Sequence, residues 1–140
     1  MVMLIRDGED KEALKNQVKE YGIEEDVKFL GIKSNVSDYI QAMDQYIFPS
    51  RFEGFGISLL EAQASGLLSF TSKTVVPESV GITDLLTYIS LDESPKEWAD
   101  IIYGQFIKRD IERNKYTDVI KDKGFDIYTE AMKLKSYLDD

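Results

Sequence analysis

Apolar and polar positions along the chain fall into short blocks whose period changes, and each change marks an element. Met1 to Ile5 is a continuous apolar run closed by Arg6-Asp7-Gly8, the form of a strand buried on both faces and ended by a turn. A helix is predicted to follow. Asp7 or Gly8 can cap it, and Glu9, Asp10 and Glu12 fall in its first turn, where the dipole favours anions. Leu14, Val18 and Tyr21 recur at helical spacing, and Gly22 supplies the stop. Val27 to Gly31 is a second strand, after which Ser34 or Asn35 can cap a helix with Val36, Tyr39, Ile40 and Met43 on one stripe. Tyr46-Ile47-Phe48 is a third buried strand that empties into a loop at Pro49-Ser50.

The second half repeats the alternation. Ile57 to Ser65 is helical with Gly66 at the C′ position, and Leu67 to Thr71 returns to strand character, as do Thr87 to Leu91. Ser94-Pro95-Lys96-Glu97 is a capping box with proline at the first helical position, opening a helix that directs Trp98, Ile101, Ile102 and Phe106 inward. Lys108 to Lys115 reads as a polar, basic joint. The last helix starts at Asp126 and carries Ile127, Ala131, Leu134 and Leu138 at helical spacing.

Strands alternating with helices through short links predict an α/β, Rossmann-like domain with a mostly parallel sheet, flanking helices and right-handed crossovers. No internal repeat, low-complexity tract or linker interrupts residues 1–140, so one domain is expected. Ligands of such sheets bind at the carboxyl ends of strands, which directs attention to the loops after Ile5, Leu30, Phe48 and Phe70.

Composition narrows the chemistry. The 140 residues include no histidine and no cysteine, which removes Ser-His-Asp and Cys-His nucleophilic sites, thiolate or imidazole zinc sites and disulfides. Lys and Arg total 17 against 26 Asp and Glu, a net charge of −9 that disfavours nucleic acid and anionic lipid as partners. No apolar run approaches the roughly 20 residues of a membrane span, and the start lacks the order of a secretory signal. A cytoplasmic location is expected.

The loop after the third strand carries the chemistry. It reads Pro49-Ser50-Arg51-Phe52-Glu53-Gly54-Phe55-Gly56, followed by Ile57-Ser58-Leu59-Leu60-Glu61-Ala62 in the helix. Two glycines around an aromatic let backbone N–H groups approach a ligand closely, and the helix start offers free amides and a positive dipole end to an anion such as phosphate. Glu53 lies before the glycines and Glu61, eight residues later, lies in the second helical turn. Helical side chains lean toward the N-terminus, so Glu61 can reach back to the loop mouth, where a carboxylate repels phosphate but accepts hydrogen bonds from a diol.

Together, Val27 to Gly31, Tyr46 to Ser50, Glu53 to Ala62 with Gly66, and Gly124 to Ile127 resemble the donor-binding, C-terminal half of a family 4 retaining glycosyltransferase of the GT-B fold. The E-x7-E signature from Glu53 to Glu61 is the specific part of the match. The resemblance implies transfer of a sugar from a UDP- or GDP-linked donor to a saccharide or lipid-linked saccharide acceptor with retention, without a cofactor or bound metal. In that reading Glu61 holds the ribose hydroxyls, and Glu53 binds the donor sugar near the reacting centre as the catalytic candidate. Amides of Gly54, Phe55, Gly56, Ile57 and Ser58 face the donor, and Gly31 and Ile32 line the base. The implied role is capsular, exopolysaccharide or lipopolysaccharide assembly.

Departures from the family pattern sharpen these expectations. Arg6 replaces a common glycine, Leu68 replaces a proline, and Lys73 to Val76 lacks glycines, so a sugar contact from the 73–76 loop is not expected; Pro77-Glu78 is expected to be a turn and not a site. The family also implies an N-terminal acceptor domain, a further opening strand and a basic pair for the diphosphate. The chain is expected to lack these and to have little turnover alone, reaching the inner membrane face only through the acceptor domain. Lys28 and Lys33 lie toward the base side, and Arg51 is expected at the surface. The alternative is a sugar-nucleotide binding module completed by a separate chain. A phosphate-binding regulatory domain would leave both glutamates without a task.

Overall fold

The computed structural model describes residues 1–5, 7–107 and 111–138, so Arg6 and the 108–110 part of the basic joint lie outside the described residues. The chain divides into two units, Met1–Tyr39 and Ile40–Asp140.

In the first unit β1 (Val2–Leu4) pairs in parallel with β2 (Val27–Phe29), setting Val2 opposite Val27 and Leu4 opposite Phe29. Among the described residues β1 has no strand on its other edge, and Val2 is 51% exposed, so the expected two-sided burial does not occur. The connecting helix α1 (Lys11–Glu20) starts later than its sequence suggests. Asp7 is drawn into an ion pair with Lys11 at 3.0 Å and is not the cap; Asp10 takes the N-cap position without a side-chain bond. Leu14 and Tyr21 of the expected stripe are exposed, and α1 buries no residue. A two-stranded ribbon has too narrow a face to cover a full helix stripe. The helix α2 (Val36–Ala42) crosses the boundary between units, with Asn35 before it donating to Asp38 at 2.9 Å.

The second unit holds the larger core. Its strands β3 (Gln45–Phe48), β4 (Leu68–Ser72) and β5 (Leu86–Ile89) are parallel and ordered β3-β4-β5. All five residues of central β4 are buried. Alternating side chains feed two clusters. Leu68, Phe70, Leu85 and Ile89 meet Trp98 and Tyr116, while Leu59, Leu60, Val76 and Val80 gather Tyr46, Phe48, Leu86 and Tyr88 around them. The helix α3 (Ile57–Ala64) joins β3 to β4 and supplies Leu59 and Leu60. Parallel pairing and strand-helix alternation are as predicted, with one sheet in each unit among the described residues.

After β5, the capping box forms as its sequence predicts: Ser94 Oγ accepts from Glu97 N at 3.2 Å, Glu97 accepts from Ser94 N at 2.7 Å, and α4 (Pro95–Phe106) follows. Its inward face is Trp98, Ile102 and Gln105, not the expected set, for Ile101 and Phe106 are exposed. Trp98 donates to Ser90 O at 2.9 Å, and Gln105 donates to the Thr87 hydroxyl at 2.9 Å, so a polar side chain occupies the place given to Phe106. A further short helix that periodicity does not mark, α5 (Tyr116–Ile120), buries Tyr116 and Ile120. The final helix α6 (Ile127–Leu138) begins where Asp126 accepts from Thr129 N at 3.0 Å, yet buries none of its apolar residues.

Candidate functional site

The loop between β3 and α3 is fastened from below by hydroxyls of β4. Thr71 Oγ1 donates to Phe48 O at 3.0 Å and Ser72 Oγ donates to Ser50 O, while Ser50 Oγ donates onward to Phe52 O at 2.8 Å. These polar residues inside a buried strand use their hydrogen-bonding capacity on the neighbouring strand end, which satisfies them and fixes the loop. The far end of α3 is held too, since Thr117 donates to Ala64 O at 2.9 Å and Arg113 donates to Ser65 O at 2.8 Å.

Gly56 is the N-cap of α3, at φ +87, a conformation that an L side chain adopts only under strain. Its turn presents two amides to one carboxylate: Glu53 Oε1 accepts from Gly54 N at 2.9 Å and from Gly56 N at 3.1 Å. Phe55 stands outside this turn with its ring stacked on Phe125, centroids 6.2 Å apart. Among the described residues, the amides of Phe55, Ile57 and Ser58 have no protein partner. A helix start with free N–H groups and a positive dipole end suits an anion.

Glu61 is exposed in the second turn of α3. Its charge and that of Glu53 both act on the phenol of Tyr46, a β3 residue packed beside Leu59 and Leu60. Burial is the main force holding the Tyr46 pKa above the usual tyrosine range; hydrogen bonding with Ser58 opposes it, and Glu61 and Glu53 add to it in that order. Glu53 follows β3 and Glu61 lies in α3, so both belong to the passage that leaves the carboxyl end of β3. Gly31 and Ile32 follow β2 in the first unit, where Ile32 is exposed. Arg51 and Lys28 are exposed, and Lys33 lies 6.0 Å from the Tyr39 ring centroid. Pro77 and Glu78 form a turn, with Pro77 O accepting from the Tyr88 hydroxyl at 2.9 Å.

Two supports escaped the sequence reading. Tyr46 reads as a plain strand residue, since nothing in an apolar triplet shows which ring's hydroxyl hydrogen-bonds with Ser58 of the next helix. Gln63 is fully buried two positions beyond Glu61: Nε2 donates to Leu59 O at 3.1 Å and Val80 O at 2.8 Å, and Oε1 accepts from Thr83 N and Oγ1. It ties α3 to the segment that leads into β5. Its polarity within Leu59 to Leu67, otherwise rich in apolar residues, was the available signal.

The family Glycosyl transferases group 1 matches residues 2–123. The protein EpsF of Bacillus subtilis (strain 168) is 30% identical over 101 residues, 72% of this chain and 26% of that protein. The capsular polysaccharide biosynthesis glycosyltransferase CapH of Staphylococcus aureus is 28% identical over 116 residues, 83% of this chain and 31% of that protein. The chain thus spans about a quarter to a third of the length of these relatives. Among solved structures, Anabaena Alr3699/HepE in complex with UDP superposes with a TM-score of 0.76 at 21% identity, over 98% of this chain and 40% of that one. These structural neighbours have the GT-B fold.

Proposed function

Because the chain belongs to the glycosyl transferases group 1 family, we propose that it is the donor-binding part of a family 4 retaining enzyme, a hexosyltransferase acting in capsular, exopolysaccharide or lipopolysaccharide assembly. The observation that carries this reading is the turn between β3 and α3, where Glu53 takes the Gly54 and Gly56 amides, those of Ile57 and Ser58 stay free among the described residues, and Glu61 follows in the second helical turn. Glu61 accepts hydrogen bonds from the ribose diol, Glu53 takes a hydroxyl of the donor sugar, and the amides of Phe55, Ile57 and Ser58 face the diphosphate. The family match runs through both units, which supports treating residues 1–140 as one donor-binding domain. UDP and GDP are the candidate carriers, and the UDP complex of HepE favours the first.

In the transfer, the bond between the anomeric carbon and the diphosphate oxygen breaks while the acceptor oxygen bonds to the same face. The acceptor proton passes to the departing phosphate. Negative charge grows on that phosphate, and preorganised amides at a helix start stabilise it without reorganising. No step asks for a histidine, a cysteine or a resident metal. The basic pair for the diphosphate belongs to the opening part of the donor half, acceptor contacts come from an N-terminal acceptor domain, and the enzyme works in the cytoplasm.

Calorimetric titration with UDP and GDP tests the reading. Binding in the millimolar range or tighter, weakened about tenfold or more in Glu61→Ala, is expected, because a carboxylate bonded to a diol contributes about 1.5 to 3 kcal/mol. Failure of the chain to bind any nucleoside diphosphate overturns it. The 140 residues alone should show no sugar transfer above background; measurable turnover would remove the need for an acceptor domain.

A further inference from the structure

Glu53 makes two different uses of its carboxylate available, and they fall on different oxygens. Oε1 receives both loop amides, Gly54 N at 2.9 Å and Gly56 N at 3.1 Å. The Gly56 conformation is what turns its N–H back to a residue three positions earlier, and the fit is close: a Cβ there would lie 3.2 Å from Leu59 Cδ1 and 3.7 Å from Glu53 Cγ. Among the described residues, Oε2 has no hydrogen-bond partner, and the side chain is half-buried. A carboxylate anchored through one oxygen has lost most of its freedom to rotate, so the lone pairs of the other oxygen point in a fixed direction.

Resting on the proposed donor site, we propose that Glu53 is divided in function: Oε1 builds the Gly54–Gly56 loop and Oε2 receives a hydroxyl of the bound sugar. Glu53 is then a positioning residue for the amides that face the diphosphate, as well as a sugar ligand. The division also sets which amides remain for an anion, because Gly56 N is already taken while those of Phe55, Ile57 and Ser58 are not.

The substitutions Glu53→Gln and Glu53→Ala separate the two uses. Glutamine keeps a carbonyl oxygen that can accept from both amides and puts an NH2 group where Oε2 stood; alanine removes both. Amide hydrogen exchange at Gly54 and Gly56 reads the loop directly. Protection should persist in Glu53→Gln and be lost in Glu53→Ala. In calorimetry with UDP and GDP, Glu53→Gln should stay within about threefold of the unsubstituted chain, whereas Glu53→Ala should weaken binding by about tenfold or more, although it removes no atom placed against the diphosphate. The sugar nucleotide should lose affinity relative to its free diphosphate in both variants. Unchanged protection at Gly54 and Gly56 in Glu53→Ala overturns the proposal, and so does equal loss of diphosphate affinity in the two variants. The exchange measurement needs no ligand, so it still decides this point if the chain binds no nucleoside diphosphate and the donor-site reading itself fails.

Discussion

Burial of the Tyr46 ring holds its phenol in the neutral form, hydrogen bonding with Ser58 offsets part of that, and the nearby charges of Glu61 and Glu53 disfavour the phenolate further. The folded chain therefore binds this proton more tightly than the unfolded chain does. Stability from this source is fully present below the ordinary tyrosine pKa, and is lost as pH rises through the higher folded value. Tyr88 adds a second contribution of the same sign, chiefly from burial, opposed by a backbone hydrogen bond with Gly81 and reinforced by the Glu78 charge. An ultraviolet phenolate titration should show Tyr46 and Tyr88 among the late tyrosines, with Tyr46→Phe removing one late transition. Glu61→Gln should bring the Tyr46 transition to lower pH, and an unmoved transition would mean that Glu61 does not face the phenol. At Gly56, alanine should cost about 1 to 2 kcal/mol from the left-handed backbone alone, read as a lower thermal midpoint.

At the scale of elements, the two ends of the α3 to β5 passage are joined by Gln63. Gln63→Leu would leave Val80 O, Thr83 N and the Thr83 hydroxyl without their partner in a buried place, and should cost about 2 to 4 kcal/mol in denaturant unfolding. Ser94→Ala removes half of a capping box at an exposed helix end and should cost about 1 kcal/mol. A loss at Gln63 no larger than that at Ser94 would contradict the role given to the glutamine. The capping box, the Gly66 stop and the sheet-to-helix order could be read from the sequence because each rests on neighbours within a few positions. The inward face of α4 could not, since periodicity sees Ile101 and Phe106 as apolar but not the Thr87 hydroxyl that draws Gln105 inward. The short α5 was hidden for a similar reason: its buried Tyr116 and Ile120 follow a basic stretch that reads as a joint. Of the site, the spacing of Glu53 and Glu61 was legible, while the capture of Gly56 N by Glu53 depends on how a left-handed glycine turns the loop.

Across the whole molecule, burial is uneven, and exchange should follow it. Amides of β4, buried along its full length at the centre of its sheet, should be the slowest. Those of α1 and α6, which bury no side chain, should exchange by local opening far faster. Equal protection in α6 and β4 would show that α6 is covered in solution by another surface, since Ile127, Tyr128, Met132, Leu134, Tyr137 and Leu138 are all exposed along it. Among the described residues no helix is long and apolar enough to cross a membrane.

Gly66 sits at φ +71 with Arg113 against it, so that a Cβ would fall 2.6 Å from the Arg113 Cα, while the Arg113 guanidinium holds Ser65 O at 2.8 Å and Met43 O at 3.0 Å. The contact constrains how this sequence can vary. A library of substitutions scored for folding should reject every side chain at residue 66, and should accept changes at exposed Glu61 that a library scored for donor binding rejects. Intolerance at that glycine marks where two distant stretches of backbone touch, and five positions away, intolerance at Glu61 would mark the proposed donor site.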